Sequence, residues 1–205
     1  SWHKYIEFGN RLLTFVLLII ALLAIVAIWQ HNKARAKSGL TKRRSLTFLA
    51  GGSLVGIFAQ AILGGITVLT GLHPLTVAAH FMVSIGLITV AQVLLTKAQE
   101  PDDAPVINLV PAAVSVGMRV HIWLALSLLA VGTLVTGTGP HAGDTADIVR
   151  LNFDERTISS IHADIVFLFV GLTIGLLIAL IATHSSAKII RLAWIVLAIC
   201  IVQGI

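Results

Sequence analysis

Five apolar stretches, each long enough to cross a lipid bilayer, constrain this chain more than any other feature of its sequence. About 20 residues at 1.5 Å rise per residue span the roughly 30 Å hydrocarbon core of a membrane. Of the 205 residues, 57% are hydrophobic and 11% are charged, too few charges to cover a soluble domain. The sequence therefore predicts an all-α, polytopic transmembrane helix bundle. Its predicted spans are Ile6–Trp29, Ser45–Leu69, Leu75–Leu95, Met118–Val135 and Ile158–Ala182.

Both ends of the sequence suggest a longer protein. A sixth apolar stretch starts near Leu192 and reaches Ile205 after about 14 residues, which is too short to cross a bilayer. The chain opens on Ser1, with no Met and no signal peptide before the first span. We therefore expect the chain to be a piece of a larger membrane protein.

Basic residues predict the orientation in the membrane. Six of the fourteen Lys and Arg residues lie in the segment Gln30–Arg44, which the positive-inside rule makes a cytoplasmic loop of a multi-pass protein of the cell membrane. The net charge of +5 therefore indicates membrane topology, and no nucleic-acid partner is expected. Cys200 is the only cysteine, so neither a disulfide framework nor a zinc site is expected.

A proline- and aspartate-rich segment divides the chain. Residues 98–117 are predicted to be a cytoplasmic linker between an N-terminal transmembrane half, 1–97, and a C-terminal half, 118–205. The halves show a weak repeat, since Asn10 and His162 each begin a helix and are followed by Gln60 and Gln203 on the next one. The sequence thus predicts two pseudo-repeated halves, both incomplete.

Polar residues within the spans are the candidate functional residues, because an ionisable side chain there costs roughly 2.5–3.5 kcal/mol on insertion scales. Glu7, Asn10 and Arg11 share one face of the first helix, where Glu7 could simply pair with Arg11. His80 and His162 lie about five and four residues inside the outer ends of their helices. Each could be hydrogen-bonded to a neighbouring carbonyl, but histidines at one depth on separate helices favour a haem site.

Two further histidines carry weaker signals. His121 lies beside Arg119 and Trp123 near an inner helix end, where an interfacial role is favoured over metal ligation. His141 lies in the glycine- and proline-rich outer loop 137–144, which suits either a tight turn or the wall of a site.

Several short motifs follow one another along the chain. They are Glu7-Phe8-Gly9-Asn10-Arg11, Gln60 with Gly64-Gly65-Ile66-Thr67-Val68, Ala79-His80-Phe81, Gly137-Thr138-Gly139-Pro140-His141-Ala142-Gly143-Asp144 and Ile161-His162-Ala163-Asp164. In type and order they resemble the haem A synthase family, whose members have eight helices in two four-helix halves. The chain would correspond to helices two to six and part of seven.

The resemblance implies an oxidoreductase that converts the C8 methyl group of haem O to a formyl group, giving haem A for cytochrome oxidase assembly. Glu7 matches the family's catalytic glutamate. His80 matches a histidine of the half that binds the substrate haem, and His162 matches an iron ligand of a bound haem b. Asn10, Arg11 and His141 lie in the matching motifs and are further candidates for haem binding. Haem O synthase, which delivers the substrate, and an unidentified electron acceptor are the implied partners, within a lipid bilayer.

The sequence departs from the family at two places. Asn10 stands where the best-known members carry a histidine. No cysteine pair, which family members can carry in the outer loop, occurs between Gly137 and Thr157. The second ligand of the His162 haem is expected beyond Ile205.

Two other functional classes fit the same residues. A di-haem cytochrome that passes electrons to or from quinone also needs histidines on helices, but it needs no carboxylate at a substrate. A proton- or solute-coupled transporter would use Glu7, Asn10 and His80 to line its path.

Overall fold

The chain folds into α-helices that are long enough to cross a membrane. The computed structural model describes residues 2–101, 107–139 and 149–203, which contain six helices and no strand. The predicted all-helical transmembrane class is confirmed, because five of these helices have the length and apolar composition of membrane spans. The helices are α1 (Trp2–Lys37), α2 (Arg44–Leu69), α3 (Pro74–Gln99), α4 (Ala112–Thr138), α5 (Glu155–Ala182) and α6 (Ala187–Gln203).

Helix α1 continues well beyond its apolar stretch. Gln30 to Lys37 are helical, so the predicted loop Gln30–Arg44 shrinks to residues 38–43. Basic residues in a last turn interact favourably with the helix dipole, which explains why the change from apolar to basic residues does not end the helix. The helix ends at Lys37, and Gly39 follows with a φ of +73° that lets the Leu40 N–H return to the Arg35 carbonyl at 2.9 Å.

The other boundaries also differ from the apolar stretches. Helix α3 reaches Gln99 and α4 begins at Ala112, after Pro111, so both ends of the predicted linker 98–117 are helical. Proline suits this position because its fixed φ and missing N–H are tolerated where a helix begins. Helix α6 begins at Ala187 rather than near Leu192 and has 17 residues.

The chain divides into two compact units, Ser1–Ala104 and Pro105–Ile205. In the first unit, α2 packs against both α1 and α3, and α1 and α3 do not contact each other along the described residues. In the second unit, α5 packs against both α4 and α6, and again the two outer helices do not contact each other where the structure describes them. Each unit is therefore built on one central helix.

Glycines let the helices within each unit approach closely. A Cβ atom added at Gly56 of α2 would lie 2.7 Å from Leu87 Cδ1 of α3, and one at Gly117 of α4 would lie 2.9 Å from Leu176 Cδ2 of α5. Few side chains are buried, and large apolar ones such as Phe167 point outward with 77% of their surface exposed. This distribution is expected where lipid replaces water around the helices and small residues form the contacts between them.

Hydrogen bonds connect the helix ends of the first unit where α1 meets α2. The buried Asn32 side chain donates to Thr47 Oγ1 at 3.1 Å and accepts from the Arg43 N–H at 2.8 Å. The Arg43 guanidinium donates to the carbonyls of Lys97 at 2.6 Å and Glu100 at 3.3 Å, which satisfies acceptors at the end of α3. The short connection thereby joins all three helices.

The close contact at Gly56 should be sensitive to a single methyl group. Gly56→Ala requires Leu87 to leave its rotamer, so we expect the variant to lose about 1 kcal/mol relative to Gly51→Ala. Gly51 is the matched control because a Cβ atom there meets nothing within 4 Å. Thermal unfolding of both variants in detergent tests this. Equal unfolding temperatures would show that the α2–α3 contact does not depend on this glycine.

Candidate functional site

A tight turn between α2 and α3 sets the register of this helix pair. Gly71 and Leu72 both adopt positive φ, +62° and +59°, and the Leu72 N–H bonds the Thr67 carbonyl at 2.9 Å. His73 then caps α3, since its Nδ1 accepts from the Leu75 N–H at 3.3 Å, and Pro74 occupies the first turn. Because the turn is short, α2 and α3 are antiparallel neighbours, and Gly64 of α2 lies opposite His80 of α3.

The imidazole of His80 lies against the backbone of α2. A Cβ atom at Gly64 would be 3.4 Å from His80 Cε1 and 3.8 Å from His80 Nδ1. The residue is half-buried, and its Nδ1 is fully enclosed without a hydrogen-bond partner. A buried ring nitrogen without a partner is costly, so the ring is held by packing rather than by its own hydrogen bonds.

A buried amide lies one turn from this contact. Gln60 Nε2 donates to the His80 carbonyl at 3.1 Å and to Ser84 Oγ, and Ser84 Oγ donates to the same carbonyl at 2.9 Å. Gln60 Oε1 is enclosed without a partner, as His80 Nδ1 is. The α2–α3 pair thus contains an amide oxygen without a donor, Gln60 Oε1, and a ring nitrogen that can carry a proton, His80 Nδ1. Such groups are typical of a polar site rather than of a surface that faces lipid.

The second unit repeats the contact between histidine and glycine. A Cβ atom at Gly132 of α4 would lie 3.3 Å from His162 Cε1 and 3.7 Å from His162 Nδ1 of α5. His162 is half-buried, and its Nδ1 is again enclosed without a partner. The two histidines therefore share the glycine contact and the enclosed Nδ1, although the sequence repeat paired His162 with Asn10.

The start of α5, which carries His162, is fixed by a cap. The Asp154 carboxylate accepts from the Thr157 N–H at 2.8 Å and from Thr157 Oγ1 at 2.6 Å. The hydrogen bond from the Thr157 hydroxyl lowers the pKa of the Asp154 carboxyl most, and the one from the Thr157 N–H lowers it further. The cap therefore stays ionised at neutral pH. The cap sets the first turn of the helix, and His162 follows two turns later.

The donor set is suited to haem iron. No group of three or more His, Cys, Asp or Glu side chains that could hold a metal ion occurs among the described residues. Haem iron, in contrast, needs one or two protein ligands, because the porphyrin supplies the others. His80 and His162 fit this requirement as single imidazole donors, one on α3 and one on α5, each packed against a glycine of the neighbouring helix.

His121 contacts the neighbouring helix. Its Nε2 lies 2.7 Å from Thr173 Oγ1, and its ring stacks on Phe169 at 4.1 Å between centroids. Both partners belong to α5, so His121 joins α4 to α5 inside the unit. Its position beside Arg119 and Trp123 did not predict this, because sequence spacing does not tell which residue of a neighbouring helix lies opposite.

Several predicted site residues lie outside the described part of the chain. Glu7, Asn10 and Arg11 belong to the first turns of α1, and their side chains are not among those described. His141 lies in the segment 140–148, which is outside the described residues. Their proposed roles stay predictions.

The contact of Gly132 with His162 was not predicted, although the spacing of the two residues from their helix ends indicates it. Gly64 and Gly132 each lie about one and a half turns before the end of their helix, and His80 and His162 lie about two turns into the next one. In an antiparallel helix pair these positions face each other.

Comparisons with known protein families, with curated proteins and with solved structures find no match for this chain.

The ring of His80 should respond to a methyl group placed at Gly64. Gly64→Ala places the new Cβ 3.4 Å from Cε1, in direct contact with the ring. We expect the side-chain ¹⁵N resonances of His80 to move in detergent-solubilised protein. Gly65→Ala is the matched control, because a Cβ atom there meets nothing within 4 Å. Equal effects of the two substitutions would contradict the described contact.

Proposed function

We propose that this chain belongs to an oxidoreductase of the haem A synthase type, which oxidises the C8 methyl group of haem O to a formyl group. The single observation that most supports the proposal is the repeated contact of His80 and His162 with a helix glycine. In each, the imidazole packs against a glycine of the neighbouring helix, and its Nδ1 is enclosed by the helix pair. Imidazoles that lie between packed helices are the groups from which helix bundles build haem sites.

The helix arrangement gives further support. In the first unit, α1 and α3 pack on α2 without contacting each other along their described residues. Under the proposal these two helices carry the residues that face the substrate haem, Glu7 and Asn10 on α1 and His80 on α3. Helices that bind a planar macrocycle between them must leave space for it, so the separation of α1 from α3 agrees with this assignment.

The proposed roles divide between the two units. His162 would hold haem b, which supplies electron-transfer chemistry when bound, and His80 would hold the substrate haem O in the other unit. Converting a methyl to a formyl group removes four electrons when water supplies the oxygen, so an electron acceptor is required. Glu7 is the proposed acid–base group near the methyl carbon. Arg11, Asn10 and His141 are proposed to contact haem, and haem O synthase is the proposed source of the substrate.

The proposed location is the cell membrane, with residues 38–43 and the adjoining helix ends in the cytoplasm. Lys33, Arg35, Lys37, Lys42, Arg43 and Arg44 cluster at this end of the first unit. An excess of Lys and Arg marks the cytoplasmic side of membrane proteins. By the alternation of the helices, the end of α2 near Gly64 and the start of α5 near His162 would then both face outward, which places Gly64, His80 and His162 toward the outer surface.

Substitution of the two proposed functional residues should separate haem binding from catalysis. We expect His162→Asn in the protein purified from its native membrane to lose most of its haem b, because the iron loses an axial ligand. We expect Glu7→Gln to keep haem b but to form little or no haem A. Haem extraction with chromatographic separation of haems B, O and A measures both outcomes.

His184→Asn is the control, because His184 is exposed in the turn before α6 and has a φ of +50° that asparagine tolerates. It should keep both haem b and haem A formation. Retention of haem b by His162→Asn would refute the ligand assignment. Normal haem A output from Glu7→Gln would make Glu7 an interfacial carboxylate that pairs with Arg11. Bound haem without haem A formation by the unsubstituted protein would favour the quinone-linked cytochrome, and a protein with no haem would favour the transporter.

A further inference from the structure

A groove between α1 and α2 is separate from both histidine sites. It encloses about 470 Å³, within the range of roughly 300–1,000 Å³ that is usual for small-molecule sites. Its walls come from one face of α1, from the start of α2 and from Lys42 in the connection between them. All of these residues lie in the first unit.

The groove changes character along its length. Ile25, Ile28 and Trp29 line it toward the middle of the span, and Asn32, Lys33 and Lys42 line it toward the helix ends. Ile25 and Lys33 are about 12 Å apart along α1 at 1.5 Å rise per residue. An occupant must therefore be amphipathic, with an apolar part toward the membrane interior and a polar part at the membrane surface.

The two lysines of the groove differ from the neighbouring arginines. Arg35 donates to the Thr41 carbonyl at 2.8 Å and Arg43 donates to the end of α3, so both guanidiniums are used by the fold. The exposed Lys33 ammonium lies 4.9 Å from the Trp29 ring centroid, and Lys42 is also exposed. No Asp or Glu occurs between Leu12 and Gln99, and the carboxylate that follows, Glu100, lies 4.0 Å from the Lys97 ammonium.

We propose that this groove binds one anionic phospholipid, with the phosphate between Lys33 and Lys42 and an acyl chain along Ile25 and Ile28. Charge complementarity favours this occupant over a zwitterionic lipid, because basic residues at a membrane surface attract anionic headgroups. The site uses residues that the proposed haem chemistry does not use, so it does not rest on the proposed function. Under the proposed orientation the lipid belongs to the inner leaflet.

Native mass spectrometry of the detergent-purified chain tests this. After incubation with equal amounts of phosphatidylglycerol and phosphatidylcholine, we expect one retained phosphatidylglycerol per chain. Each basic residue near a membrane surface contributes about fivefold to the affinity for anionic lipid, so Lys33→Gln with Lys42→Gln should reduce retention at least about fivefold. Lys37→Gln with Lys188→Gln removes the same charge outside the groove and should leave retention unchanged.

A second variant tests the apolar part of the groove without changing its charge. Ile28→Trp should also reduce retention, because the larger side chain fills the space that the acyl chain needs. Equal retention of the two lipids, equal losses in the two double-lysine variants, or unchanged retention in Ile28→Trp would each overturn the proposal. Displacement of the lipid by millimolar inorganic phosphate alone would also overturn it, since the rim would then be a site for free phosphate.

Discussion

Close approach of helix backbones at glycine is the interaction on which the rest of this structure depends. Apolar helices in lipid gain no hydrophobic free energy by associating, so contacts between them rely on packing and on a few hydrogen bonds. Gly56 and Gly64 of α2 lie against Leu87 and His80 of α3. The contact that joins two helices therefore also fixes a histidine ring, which makes the site a consequence of helix packing.

The pairs α2–α3 and α4–α5 share the contact between glycine and histidine, but they differ one helical turn further into the span. Gln60 and Ser84 form a polar pair between α2 and α3, and the positions that correspond by distance from Gly132 and His162 hold Leu128 and Val166. The site at His162 is therefore the more apolar of the two. In the proposed function this difference agrees with the roles, since a haem that stays bound gains from apolar walls and a substrate site must also handle protons.

The sequence predicted the elements well and their contacts poorly. The length and composition of the apolar stretches located the five spans, because the thickness of the bilayer fixes the number of residues that a helix needs to cross it. The ends of α1 and α6 were misjudged, since hydropathy changes at the membrane surface whereas a helix continues until a residue such as Gly39 ends it. The contact of His121 with α5 was not predicted, because the register of α4 against α5 depends on the geometry of their connection.

We propose that this chain holds haem through His80 and His162, and the most direct test is the pyridine haemochrome spectrum of the protein purified from its native membrane. We expect an α-band of haem b, with a second band from haem O or haem A. A folded, helical protein with no Soret absorption and no haemochrome band would contradict it.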